Sequence, residues 1–310
     1  MRISEKMKSL FMTIMMAAAF TACGHRASTE STSDADSAST DSTKVEASVE
    51  EKSALVLDTI SFERNDSMAE VSLSVQWPIE GNEELVKSVR QFVCDVCGIK
   101  NKYFKGTKKD FKDIVDTDYN GLVEEWHGAY ADSEEGGGPS FTSGTSVVKL
   151  AETETFVTFY AEQFGYTGGA HGFATHVGKT FRKSDGKAIG YDMEYNQDSF
   201  DAKMKNQTLF ADTKSSKLYA LIKDGVKRYF KECQQPIDDD NELSNFLQVD
   251  NINRIPLPGN APYLTETGLV FCYTQYEIAP YAAGMITFEV PYAKIRPFLT
   301  EEAKALIPKE

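Results

Sequence analysis

The chain has 310 residues, 26% of them charged, with a formal net charge of −14 at pH 7. An acidic balance of that size argues against nucleic acid or anionic lipid as partner. It fits a soluble body or one that meets a cationic partner. Read from the N-terminus, Arg2, Lys6 and Lys8 precede an apolar run from Leu10 to Phe20. That run is too short for a bilayer span, which needs ~20 residues. Phe20-Thr21-Ala22-Cys23 then reads as a lipobox. Residues 1–22 are therefore expected to be a lipoprotein signal peptide, and Cys23 the acylated residue that holds the protein to a membrane. A plain signal peptide with a chance cysteine is the alternative. Three basic residues and one acidic residue leave with the leader, which takes the net charge from −14 to −16.

Residues 23–52 are mostly Ser, Thr, Ala, Asp and Glu. Such a stretch has too little to bury to offset its ordering entropy, so a disordered tether is expected. No acidic cluster directly follows Cys23, which favours an outer-membrane lipoprotein facing the periplasm over one exposed at the surface. The folded part is expected in two segments, 53–150 and 151–310.

Ala54 to Arg64 reads as a strand, and Val71, Leu73, Val75 and Trp77 alternate with polar residues as a half-buried second strand. Asn82 to Cys97 carries a helical apolar face, with Asn82 or Gly81 near its start and Gly98 at its end. Asp110 to Tyr130 reads as helical with an interruption at Asn120-Gly121, followed by a loop from Glu134 to Pro139. Strands follow at about Phe141 to Glu152, Thr155 to Gly165 and Ala174 to Arg182, the last leading into a turn at Ser184-Asp185-Gly186. Lys217 to Cys233 is a second amphipathic helix; an acidic turn at Pro236 to Asp240 and a short helix from Asn241 to Gln248 come next. Tyr263-Leu264 and Gly268 to Tyr273 form an apolar hairpin, Met285 to Val290 alternates again, and Tyr292 to Phe298 is a short helix. Strands adjoin strands and helices are few, so the expected class is α+β: antiparallel sheet with a few packed helices.

Cys94, Cys97, Cys233 and Cys272 remain after lipidation. An oxidising compartment allows disulfides, and four cysteines permit three full pairings that sequence does not separate. Cys94 and Cys97 have redox spacing but sit at a helix C-terminus, whereas a reactive thiolate needs the N-terminal end of the dipole. Burial of Cys97 on the apolar face is the expected role.

The densest motif is Phe164-Gly165-Tyr166-Thr167-Gly168-Gly169-Ala170-His171-Gly172. Such a glycine cluster implies positive φ or close backbone approach, and it fixes where His171 sits. Together with Leu264-Thr265-Glu266-Thr267-Gly268-Leu269-Val270-Phe271, and with Tyr276-Glu277-Ile278-Ala279-Pro280-Tyr281-Ala282-Ala283-Gly284 before a strand ending Val290-Pro291-Tyr292, it resembles the RsiV-like family. Members include the extracellular region of a lysozyme-sensing anti-sigma factor and a non-catalytic region of some peptidoglycan deacetylases. The resemblance implies an α+β fold in two segments, an envelope location and, in one branch, lysozyme binding. This chain departs from that branch in lacking an internal transmembrane helix and a sigma-binding region, and it has no metal-binding deacetylase domain.

The leading functional expectation is a lipid-anchored envelope binding protein whose partner is lysozyme or another cationic protein, or peptidoglycan. Its ligand-binding residues are expected to be Tyr166, His171, Tyr276, Glu277 and Tyr281, within an aromatic set that also includes Tyr273 and Tyr292. The rival is a cell-wall glycan- or peptide-acting enzyme using His171 with Glu277 as its acid/base pair. The plain alternative gives His171 backbone hydrogen bonds that pin the turn, and Glu277 a solvent contact or ion pair. No HExxH, paired CxxC, GxSxG, P-loop or dinucleotide fingerprint is present, so no metal and no cofactor is expected. The Gly-His loop and the Tyr276–Gly284 loop are expected to lie side by side.

Overall fold

The computed structural model describes residues 54–131, 137–195, 202–233, 237 and 239–309. The leader and tether expected over 1–52 lie outside the described residues, as do parts of the Glu134–Pro139 and Pro236–Asp240 segments. Strands β1 (Val56–Asn65) and β2 (Ala69–Glu80) form an antiparallel hairpin. Its turn is set by Asp66, whose Oδ1 accepts from Met68 N at 2.8 Å and Ala69 N at 3.0 Å. The Tyr119 hydroxyl donates to the same carboxylate, and these bonds hold its pKa below the ordinary value.

Helix α1 (Glu83–Val96) starts at Asn82, which accepts from Leu85 N at 3.1 Å. It ends in the left-handed turn expected at Gly98, with Gly98 N donating to Asp95 O and Ile99 N to Cys94 O. Helix α2 (Lys108–Tyr130) opens on a capping box between Thr107 and Asp110. It runs unbroken through Asn120-Gly121, contrary to the sequence expectation. A glycine in a helix costs only about 1 kcal/mol. Phe111, Val115 and Tyr119 bury one face against the sheet, which outweighs it.

Strands β3 (Phe141–Glu152), β4 (Phe156–Tyr166), β5 (Phe173–Arg182) and β6 (Ala188–Ile189) complete a six-stranded sheet in the order β1 to β6. All pairings are antiparallel except β2 with β3, which is parallel. The two intervening helices carry the chain back to the starting end of the sheet, a crossover that strand alternation alone does not reveal. The boundary expected at 150/151 falls inside β3, and Lys52–Glu310 forms one unit. One sheet face, with Val71, Val75, Val147, Val157 and Phe159, is buried beneath α1 and α2.

A small hairpin of β7 (Asp192–Tyr195) and β8 (Ala202–Lys205) was not expected from the sequence. Helix α3 (Ser216–Glu232), helix α4 (Asp240–Phe246) and a three-stranded antiparallel sheet follow. That sheet comprises β9 (Tyr263–Leu264), β10 (Gly268–Tyr273) and β11 (Ile286–Pro291), with β10 in the middle. Short helices α5 (Tyr292–Ile295) and α6 (Glu301–Lys304) bring the described α-helices to six. Helix α3 packs on β11 and fills a second core with Leu218, Ile222, Val226, Phe230, Phe271 and Phe288.

The two sheets are joined through two buried threonines. Thr158 Oγ1 donates to Leu264 O at 2.7 Å, and Leu264 N donates to Thr180 Oγ1 at 2.9 Å. Beside them a Cβ on Gly178 would lie 2.1 Å from the Tyr263 ring, so glycine lets that ring seat against β5. Among the described residues no helix is long and apolar enough to cross a membrane.

Candidate functional site

The β4–β5 hairpin ends in the glycine-histidine loop. Gly168 and Gly169 take φ of +92° and +88°, which a side chain would strain. A Cβ on Gly172 would meet Gly165 O at 2.4 Å, so the loop closes tightly on its own strand. The Tyr166 hydroxyl donates across the loop to Gly169 O at 3.2 Å.

This closure presents His171 to solvent beside the loop between β10 and β11. The Tyr281 ring stacks on the imidazole, with centroids 3.8 Å apart and planes within 20°. His171 Nδ1 lies 2.9 Å from Gly172 O, which can only accept, so Nδ1 carries the proton in the neutral ring. Nε2 is then the acceptor for the Tyr276 hydroxyl at 3.3 Å. The Tyr281 hydroxyl donates to Gly172 O at 3.0 Å, and Ala174 N donates to Gln275 Oε1 at 3.2 Å. The two loops, over a hundred residues apart in sequence, are therefore in direct contact.

Tyr276 is 57% exposed and has φ +67°, a left-handed conformation that a large side chain rarely adopts. Glu277 helps to hold it there. Its Oε2 accepts from Thr274 N at 2.8 Å and Thr274 Oγ1 at 3.1 Å, and its Oε1 accepts from Gly259 N at 2.6 Å. Both carboxylate oxygens are thus engaged by the turn and by the neighbouring Gly259 segment. The sequence reading put Glu277 beside His171 as an acid/base partner or ligand contact; the structure instead makes it a backbone clamp. The tip of the second loop is fixed to α3 by the Tyr229 hydroxyl, which donates to Ala283 O at 2.7 Å.

The structure thus brings Tyr166, His171, Tyr276 and Tyr281 together at one end of the large sheet and turns Glu277 inward. Two other members of the aromatic set lie elsewhere. Tyr273 is a fully buried core residue that donates to Pro256 O, and Tyr292 is half-buried and donates to Thr265 O. His176, five residues after His171, points from the sheet toward Glu162, with 3.5 Å between Nε2 and Oε1. Burial lowers the His176 pKa to about 4 and raises that of Glu162. The Cys97 thiol is pushed up to about 12 by burial, and Cys94 is raised for the same reason. Neither is a poised thiolate, and all four described cysteines are free. Among the described residues no cluster of three or more His, Cys, Asp or Glu could hold a metal.

Two exposed aromatics at the hairpin end escaped the sequence reading: Phe164 at 46% exposure and Phe173 at 57%. Each ring lies over a cross-strand glycine, Phe164 on Gly144 and Phe173 on Gly165. An aromatic opposite a glycine becomes visible only once strand register is known. A shallow depression lined by Phe62, Glu63, Arg64, Lys112, Val115 and Asp116 lies on the helical side and holds the Arg64–Asp116 ion pair at 3.1 Å.

Residues 207–293 match the model of a family described as a protein of unknown function, DUF3298. That stretch contains the Tyr276–Gly284 loop but not the glycine-histidine loop. Two crystal structures share the fold. A DUF3298 family member from Bacteroides fragilis aligns with 16% identity over 80% of this chain and 95% of its own, with a TM-score of 0.57. A DUF3298 family protein from Pseudomonas aeruginosa aligns with 13% identity over 84% of this chain and 99% of its own, with a TM-score of 0.52. No curated protein sequence matches the chain.

Proposed function

We propose that this protein is a lipid-anchored binding module that captures a cationic protein, with lysozyme as the concrete candidate, at the end of the β4–β5 hairpin. The observation that carries the reading is the stack of His171 on Tyr281 with Tyr276 beside it. Rigid rings with satisfied polar tips and open faces are what interface anchors are made of. The imidazole meets Tyr281 by stacking and Tyr276 by a hydrogen bond, while the Glu277 carboxylate is held on Thr274 and Gly259, so the acid/base pairing that an enzyme reading needs has no support in Glu277. The net charge favours encounter with a cationic partner at low salt. The lipobox at Cys23 supplies an envelope address, with the outer membrane facing the periplasm as its side.

Titration calorimetry of the full chain with lysozyme, at low and at physiological salt, tests this. His171→Ala and Tyr281→Ala are expected to weaken binding at least about tenfold, the loss of one interface anchor. The melting temperature should shift by no more than about 3 °C. Absence of lysozyme binding, or binding that both variants leave intact, overturns the reading. Membrane fractionation of Cys23→Ser tests the anchor separately: release into the soluble fraction is expected, and full retention refutes it.

A further inference from the structure

The face of the large sheet turned away from α1 and α2 carries a pattern that the hairpin tip does not use. Strand register aligns Ser61, Ser74, Ser146, Glu162 and His176 in one row across five strands. The next row is Glu63, Ser72, Gly144, Phe164 and Ala174. Beyond the first row on the other side, Thr59 pairs with Gln76 and Val148 pairs with Tyr160, where Tyr263 of β9 packs as a wall. Four inter-strand steps of ~4.8 Å make each of the first two rows about 19 Å long.

Thr59, Ser61, Ser72, Ser74 and Ser146 give these rows a run of short hydroxyl side chains beside the longer Glu63, Gln76, Glu162 and His176, so the surface is a shallow tray of donors and acceptors. Ser61 and Ser74 hydrogen-bond each other at 2.9 Å and keep further capacity, since each hydroxyl can donate once and accept twice. The Phe164 ring rests on Gly144, where a Cβ would come within 2.1 Å, and it remains 46% exposed at the side of the tray nearest the β4–β5 hairpin end. At the inner end Glu162 and His176 offer an oriented carboxylate and imidazole beneath the wall.

We propose that this face binds an uncharged, hydroxyl-rich polymer, an oligosaccharide chain, laid across the rows with one sugar ring stacked on Phe164. The charge on the face selects this occupant. The acidic side chains in the rows are Glu63 and Glu162, and no Lys or Arg stands among them, so an anionic polymer is repelled. The tray's apolar side chains Val148 and Tyr160 pack together with Tyr263, which leaves Phe164 as the exposed aromatic of the rows rather than the continuous apolar stripe that an amphipathic helix of a partner protein needs. A sugar chain supplies what remains: many hydroxyls for a hydroxyl surface and an apolar ring face for one aromatic. The inference goes beyond the hairpin-tip reading and does not depend on it.

The test is titration of the full chain with chitohexaose and with cellohexaose, followed by heteronuclear NMR. Binding of at least one hexasaccharide is expected, with shifts confined to residues of these rows. Phe164→Ala is expected to weaken it at least about tenfold, the effect of losing one stacking ring. Ser74→Lys, which places a long side chain across the tray, should weaken it further. Tyr281→Ala, which damages only the tip, should leave sugar binding unchanged, so the two sites fail independently. The proposal is overturned if neither sugar binds at about 5 mM, a concentration that detects millimolar affinity. It is also overturned if both bind equally well to Phe164→Ala and Ser74→Lys, or if polygalacturonate competes on the same rows.

Discussion

Tyr276 offers a way to separate strain from contact. Its ring is 57% exposed and its backbone is left-handed at φ +67°. Replacing it by Ala or by Gly removes the same ring and the same hydrogen bond to His171, a solvent-exposed bond worth about 0.5–1.5 kcal/mol. The two variants differ only in backbone. Alanine keeps a left-handed penalty of about 1–2 kcal/mol, whereas glycine removes it but gives the unfolded chain more freedom, worth roughly 0.5–1 kcal/mol. The net expectation is that Tyr276→Gly is more stable than Tyr276→Ala by about 0.5–1 kcal/mol. In a domain of this size that is about 2 °C of melting temperature. Both variants should lose lysozyme binding to the same extent, because the lost ring is common to both. Calorimetric melting and titration of the pair decide it. Should the alanine variant melt at or above the glycine variant, the clamp by Glu277 does not hold the turn in a strained state, and the argument for a preset loop fails.

Two further outcomes follow from buried groups. His176 has a folded pKa of about 4 against an ordinary 6.5, so the unfolded chain binds its proton first as pH falls. Stability attributable to His176 is intact above pH 6.5 and declines between 6.5 and 4, by up to about 2 kcal/mol at pH 5. Glu162, whose carboxyl is raised by burial, takes up a proton in the folded state and works in the opposite direction. Urea titrations at pH 7 and pH 5 should show a smaller acid loss in His176→Gln than in the parent; equal losses refute the assignment. Gly178→Ala would set a Cβ 2.1 Å from the buried Tyr263 ring. Overpacking of that kind costs about 1–3 kcal/mol, and a melting temperature unchanged within 1–2 °C would show that β9 can shift away.

Much of the local structure was legible because local chemistry sets it. Asn82 and Gly98 bound α1 as their side chain and backbone preferences require, and the alternation in β2 and β11 follows from one buried face. The unbroken α2 was hidden because Gly121 signals a break that packing of Tyr119 and its neighbours overrides. The parallel pairing of β2 with β3 was hidden for a different reason: nothing local distinguishes it from a hairpin once helices intervene. At the site, the glycines of the first loop announced a constrained histidine. The fate of Glu277 was not readable, since its partner Gly259 lies in a separate segment brought near only by the fold. Tyr273 and Tyr276 are three residues apart and have opposite environments, because one ends β10 inside the core and the other sits in the turn that leaves it.

The parallel seam between β2 and β3 also bears on how the chain assembles. The β1–β2 and β3–β4–β5 hairpins each close short loops, which is fast and entropically cheap. The seam joins Ala69 to Phe141 and must wait for the whole helical crossover. During synthesis from the N-terminus, β2 therefore emerges with one edge unsatisfied and its row of Val71, Leu73 and Val75 bare. Helices α1 and α2 are the next segments made, and they pack on that same row. Chain order thus supplies a cover for the apolar face before the edge finds its strand, so variants that weaken α1 or α2 should show their damage first as insoluble nascent protein.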